Sequence, residues 1–295
     1  MRFTLSDGPW RRHYPFASQY AALGAGRMHY VSAGPNESRE TLLCVHGNPT
    51  WSFHWRYLMQ DWGRERRVIA IDHLGCGGSD RTDEPRTLAD RIGDLCEFIT
   101  SLDLTNITLV AQDWGGAIGL GALQKLRERF TRIVLFNTGA FPPPSIPLRI
   151  DVCRTPLLGR LALQGGNLFS RAALRMTMTR QRGLPADIAA GYLAPYNSWV
   201  NRRAVYDFVA DIPRGPSHPT WQTLADIEAG LPALANMRQL LVWGMRDWCF
   251  NPACLDRFLS HWPTAEAHRI ADAGHWVVED APDDCRTIVT KFLNR

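Results

Sequence analysis

The chain has 295 residues, enough to bury a sizeable core in one large domain or two. It is 45% hydrophobic and 21% charged, a composition that excludes the disordered and fibrous classes. The net charge of +4 rests almost wholly on arginine, since only Lys125 and Lys291 are lysines; the basic residues are spread along the chain apart from short clusters such as that around Arg66, without the concentrated stripe of a nucleic-acid binder.

The first ten residues, Met1 to Trp10, lack the apolar core of a signal peptide, and no apolar run is long enough to span a bilayer. Weak runs at 21–23 and 28–31 predict an antiparallel hairpin at one sheet edge. Apolar, β-branched runs at 41–45, 67–71, 107–111 and 133–136 predict strands, with helix-like stretches at 88–102 and 117–130 between them. Continuous rather than alternating hydrophobicity means burial on both faces, hence a parallel sheet between helices. The βαβ alternation predicts an open α/β fold. From Pro142-Pro143-Pro144 to about Pro232 no comparable strand occurs, only helix-like patches broken by Pro and Gly. Structureless connections rarely exceed about 15 residues, so this stretch predicts an inserted helical cap. Strands resume at 239–243 and 265–270, and a final helix runs through Lys291. The predicted division is a core of 1–141 and 233–295 with a cap of 142–232. The seven cysteines are odd in number and form no C-x-x-C pair. Reduced thiols in a cytoplasm account for them most simply, and Cys249 and Cys254 lack the second pair that a zinc site needs.

Chemistry concentrates at the ends of the predicted strands. Val110-Ala111-Gln112-Asp113-Trp114-Gly115-Gly116 turns from strand to helix in the small-x-nucleophile-x-Gly pattern of a nucleophile elbow, with Asp113 where esterases carry serine. A carboxylate is anionic at neutral pH without a base beside it, and a helix N-terminus favours its charge. His46-Gly47-Asn48-Pro49 follows the 41–45 strand, where such folds supply an oxyanion N–H. Asp72-His73-Leu74-Gly75-Cys76-Gly77 is a Gly-rich loop after the next strand. Asp247 ends one late strand and His275 follows another, giving the order nucleophile, acid, histidine. Each residue also has an ordinary structural reading. Asp113 suits a helix N-cap, Asp247 a cap for the helix near Asn251-Pro252, His275 a satisfied buried histidine, Trp114 core packing and Asn48 a turn. Leu157, Leu161, Leu163, Phe169, Leu174 and Met176 read as core or cap packing.

With these motifs in this order, the chain resembles the haloalkane dehalogenase family of the α/β-hydrolase fold over nearly its whole length. The resemblance implies Asp113 as nucleophile, His275 as base, Asp247 as the orienting acid, and Asn48 and Trp114 as halide-holding side chains. Some family members carry the acid after the preceding strand, where this chain has Asn137. Tyr192 to Trp199, Asp211-Ile212-Pro213 and the Asp72 loop also resemble a close branch, the β-lactone decarboxylases of bacterial olefin biosynthesis.

A serine alkoxide displacing halide would leave an ether, whereas a carboxylate leaves an ester that water can cleave. The expected reaction is halide displacement by Asp113, then ester hydrolysis by water activated at His275, giving alcohol and halide. Neutral donors on Trp114 and Asn48 suit a halide that must depart. No metal or organic cofactor is expected, and the expected partners are a small apolar substrate and the halide ion, with a homo-oligomer compatible. β-Lactone decarboxylation is the alternative. An epoxide hydrolase, which needs cap tyrosines such as Tyr192, Tyr196 or Tyr206, ranks third, and a ligand receptor on the same fold is the non-enzymatic reading.

Overall fold

The structure, a computed structural model, describes residues 1–155, 157–181 and 183–295. Eight strands form one sheet: β1 (Ser18–Leu23), β2 (Gly26–Ala33), β3 (Thr41–Val45), β4 (Arg67–Ile71), β5 (Ile107–Asp113), β6 (Phe130–Thr138), β7 (Arg238–Gly244) and β8 (Glu266–Ile270). Their spatial order is β1-β2-β4-β3-β5-β6-β7-β8. The β1–β2 hairpin and the β2–β4 pair are antiparallel, and every other pairing is parallel. The predicted hairpin and inner strands are all present, some a few residues longer than their apolar runs.

The continuous hydrophobicity of the inner strands has a simple origin. Successive strand residues face opposite sides, so in β3 Leu43 and Val45 enter one core while Leu42 and Cys44 enter the other. In β5, Leu109 and Ala111 likewise oppose Val110. Each buried Leu, Ile or Val contributes about 1.5–3 kcal/mol.

On the N-terminal side of the chain lie α1 (Arg56–Trp62), α2 (Leu88–Ser101) and α3 (Trp114–Lys125). A reciprocal cap starts α2: the Thr87 hydroxyl accepts from the Asp90 N–H, and the Asp90 carboxylate accepts from the Thr87 N–H. Helix α3 begins three residues before the periodic stretch that predicts it, because Gly115 and Gly116 have low helix propensity and no side chain to mark a face. Both are required by packing. A Cβ on Gly115 would overlap the Val45 carbonyl, and one on Gly116 the Thr138 side chain.

Between β6 and β7 the described residues contain helices and no strand: α4 (Leu148–Cys153), α5 (Leu158–Arg160) running into a π-turn (Leu161–Gly165), α6 (Leu168–Met176), α7 (Ala186–Leu193), α8 (Arg203–Ala210) and α9 (Pro219–Gly230). Helix α9 packs against α2 and α3, with Gln124 Nε2 donating to the Ile227 carbonyl at 2.8 Å. Helices α10 (Pro252–His261), α11 (Val277–Asp280) and α12 (Pro282–Leu293) complete the chain. Among the described residues, no helix is long and apolar enough to cross a membrane.

Candidate active site

The carboxyl ends of β3, β5, β7 and β8 carry the four motif loops, the usual place for a ligand in an open α/β sheet. Asp113 ends β5 at φ 55°, ψ −133°, the left-handed side of conformational space for a residue with a Cβ. Such a conformation costs of order 1–3 kcal/mol and persists only where the surroundings over-determine it. Here the Thr138 hydroxyl donates to the Asp113 carbonyl, and the pairing of β5 with β6 shifts register between Ala111 and Asp113. The carboxylate makes no N-cap bond to α3, so the capping reading of Asp113 fails.

Instead the carboxylate is held by two other loops. Oδ1 accepts the Asn48 backbone N–H at 2.7 Å, and Oδ2 lies 3.3 Å from His275 Nε2. Gly47 is needed for this approach, because a Cβ there would overlap the Asp113 carboxylate. Behind the Asn48 loop, Asp72 is fully buried and accepts the N–H groups of Ser52 and Gly78, each at 2.7 Å. His73 adds to the brace: its N–H donates to His46 Nε2 at 3.0 Å. The Gly-rich 72–78 loop thus supports the loop that carries Asn48.

Behind His275 stands Asp247, 3% exposed, whose Oδ2 accepts from His275 Nδ1 at 2.8 Å. The same Oδ2 accepts from Asn137 Nδ2 at 3.0 Å, and Oδ1 accepts the Cys249 N–H at 2.7 Å. Asp247 does not cap α10; Asn251 does, accepting the Ala253 N–H at 3.0 Å. Phe250 stacks on the His275 ring at 5.6 Å. Burial alone would lower the His275 pKa, but the carboxylates of Asp247 and Asp113 outweigh it and push it up to about 10.

The roles of four positions here escape sequence reasoning, although Asn137 stands where some family members carry the acid. Asn137 orients Asp247, Phe250 covers the imidazole, Cys249 donates its backbone N–H, and Gln112 Nε2 donates to the His275 carbonyl. Gln112 in turn bonds His54, which bonds the Tyr192 hydroxyl at 2.9 Å. Tyr192 donates to Glu279 at 2.7 Å, and Glu279 forms a fully buried bidentate pair with Arg56 at 2.7 and 2.8 Å. Visible in the sequence are the adjacency of Gln112 to Asp113 and the place of Asn137 at the alternative acid position.

Asp113, Trp114, Asn48 and His275 line one cavity of about 540 Å³, roofed by the inserted helices. The Trp114 indole packs against Phe208 at 5.7 Å and makes no hydrogen bond to the described residues. Asn48 Nδ2 donates to the Val205 carbonyl at 3.1 Å, which leaves its second hydrogen unused. The Trp114 N–H opens α3 and so has no intrahelical acceptor. With the Asn48 N–H it offers a pair of backbone donors to developing negative charge. Burial, with Asp247 and Asp113 nearby, holds the Cys249 thiol well above its usual range, so it lines the cavity as a neutral thiol.

The apolar insertion residues divide three ways. Leu163, Phe169 and Met176 line the cavity, and Leu174 is buried. Leu157 and Leu161, expected to pack, are 73% and 50% exposed, because α5 and its π-turn present that side outward. Tyr192, Tyr196 and Tyr206 are not among the described lining residues, and the Tyr196 hydroxyl donates to the Thr50 carbonyl at 3.0 Å.

Residues 40–282 match the α/β hydrolase fold family model. The chain is 39% identical to a cis-3-alkyl-4-alkyloxetan-2-one decarboxylase of Shewanella oneidensis, over 95% of this chain and 89% of that protein. It is 30% identical to haloalkane dehalogenase 2 of Mycobacterium tuberculosis, over 92% of each. The crystal structure of haloalkane dehalogenase DatA from Agrobacterium tumefaciens shares the fold with a TM-score of 0.85 at 22% identity, over 95% of this chain and 97% of that one. The chain belongs to the α/β-hydrolase fold family, in the haloalkane dehalogenase lineage that includes the β-lactone decarboxylases.

Proposed function

We propose that the protein opens and decarboxylates a cis-dialkyl β-lactone, with Asp113 as covalent nucleophile. The observation that carries this reading is an apolar cavity of about 540 Å³ that ends on the Asp113 carboxylate and two neutral N–H donors. The greater likeness to the decarboxylase than to the dehalogenase supports a lactone over a haloalkane.

Oδ1 of Asp113 is held by Asn48, so Oδ2 attacks ring carbon C4. The C4–O bond breaks, and its electron pair leaves on the lactone carboxylate, stabilised by the Trp114 indole N–H and the Asn48 amide. The C2–C3 bond then breaks and CO₂ departs. Its electrons form the C3–C4 double bond, and the bond from C4 to Asp113 breaks, restoring the carboxylate. No water is consumed. His275, held as an imidazolium beside Asp113 and braced by Asp247, stabilises the returning carboxylate charge.

Dehalogenation is the second reading, favoured by the same two neutral donors. Halide leaves in the first step, and a neutral His275 must then activate water. Esterification supports that step, since it removes the Asp113 charge that helps hold the imidazole protonated. An epoxide hydrolase is disfavoured because its acid would come from tyrosines whose hydroxyls, at Tyr192 and Tyr196, bond to Glu279 and Thr50. A pure receptor has no use for the Asp113–His275–Asp247 contacts.

The test is gas chromatography of alkene and CO₂ from a synthetic cis-3-alkyl-4-alkyloxetan-2-one, with Asp113→Asn as control. Asp113-dependent alkene supports the proposal. Halide release from 1-bromobutane without alkene from the lactone would return the function to dehalogenation. Failure of both would sink carboxylate catalysis at this site.

A further inference from the structure

Beyond the cavity, the insertion shows an outward face that its own packing does not explain. Leu148, Val152, Leu157, Leu158, Leu161 and Leu168 are each at least half exposed, Leu148 reaching 77%. They lie on consecutive elements that pack on one another: α4, α5, the π-turn and α6. Trp199, 40% exposed, extends the face, with its ring beside Gly165 and the Arg160 guanidinium 5.9 Å from the ring centroid. Monomeric proteins rarely leave so many large apolar side chains exposed on neighbouring elements without a use for them.

Charge points to the occupant. Residues 142–185 contain seven arginines and a single acid, Asp151. Asp151 is engaged by Arg154 and Arg214, and Arg180 by Asp272 and Asp284. Arg149, Arg160, Arg171 and Arg175 are exposed and form no ion pair among the described residues. Leucines flanked by unpaired arginines, with a tryptophan at the margin, make the surface chemistry of proteins that lie in a lipid interface. We propose that this face of the insertion seats the protein on an anionic lipid bilayer, leucines at the acyl boundary and arginines at the headgroups. Arginine suits that position because its stem covers apolar surface while its fork binds phosphate.

The cavity opens toward the same face. Helix α4 turns Ile150 and Cys153 to the cavity and Leu148 and Val152 to the outside, and Leu168 and Met176 both line the cavity and are exposed. A dialkyl substrate dissolved in the lipid would enter without crossing water. That route rests on the lactone reading, whereas lipid binding by this face does not.

Flotation of the full chain with vesicles tests the proposal without any turnover. Vesicles of equal phosphatidylglycerol and phosphatidylcholine should bind about tenfold or more tighter than phosphatidylcholine alone, and high salt should weaken the difference. The variant Leu157→Glu/Leu158→Glu/Leu161→Glu should lose the binding while keeping the wild-type circular dichroism and thermal midpoint. Should it fail to fold, Arg171→Gln/Arg175→Gln supplies the second reading and should weaken anionic binding alone. Absence of wild-type binding, or equal binding by the variants, overturns the proposal. So does a vesicle-free wild-type dimer that the leucine variant dissolves, which would assign the face to a second copy of the chain.

Discussion

The sheet and the helices inserted over it use apolar residues in opposite ways. In β3 and β5 the residues at 42–45 and 107–111 are wholly buried, while in α4, α5 and the π-turn Leu148, Leu158 and Leu161 stand 50–77% exposed. The sheet spends its hydrophobicity on two cores, and those cores hold Asp113, Asp247 and His275 in fixed relation. The insertion spends its hydrophobicity on the cavity wall and on an outward face. On the proposals made above, the first region holds the site and the second selects substrate and surroundings. This asymmetry follows from covering: both faces of the sheet are packed, whereas α4 has one side on the cavity and Leu148 and Val152 exposed on the other, and α5 exposes Leu158.

The contrast is sharpest at Asp113, the proposed nucleophile. Asp113→Asn should lower alkene formation on the order of a thousandfold or more, because no other group at the cavity base can form the ester. Its thermal midpoint should stay near wild type, since the Asn48 N–H still meets an amide oxygen. Substantial residual turnover would break the division between rigid site and variable cover.

Next comes the buried pair that backs the Gln112 network. Arg56→Ala should cost about 3–5 kcal/mol of stability in denaturant titration, since it strands Glu279 in the core. Burial raises the Glu279 pKa, but the Arg56 guanidinium more than reverses that and leaves it lowered. The pair's contribution is therefore present above the unfolded carboxylate pKa and lost as the pH falls through the folded one.

A direct comparison of the two regions needs one leucine from each. Leu109→Ala, at a fully buried position of β5, should cost about 2–5 kcal/mol. Leu158→Ala, 73% exposed on α5, should change stability by no more than about 0.5 kcal/mol. Equal costs would show that the outward leucines do structural work.

Last comes the titration of His275. Its folded pKa is raised from 6.5 to about 10, so its stabilisation is complete below pH 6.5 and is lost as pH rises through about 10. The difference in thermal midpoint between wild type and His275→Phe should therefore narrow by on the order of 10 °C from neutral to strongly alkaline pH. A difference independent of pH would mean that His275 is neutral between its two carboxylates.

What the sequence by itself determined was local. Runs of β-branched residues marked the inner strands, because a strand buried on both faces needs apolar residues at every position. The motifs around Asn48, Asp113, Asp247 and His275 stood out because each combines a strand end with turn-permitting or chemically distinctive residues. Tertiary structure alone decided the rest. Asn137 reaches Asp247 across 110 positions, and Gln112 reaches the His275 carbonyl across 163. Neither residue belongs to a periodic pattern that would mark its partner: Asn137 reaches the end of the adjacent β7, and Gln112 reaches the loop after β8, three strands away. The outward leucines at 157, 158 and 161 carry the same apolar signal as core residues. Hydrophobic spacing shows that a helix has an apolar side; only the packing of the other elements decides whether that side meets a core, a cavity or the outside.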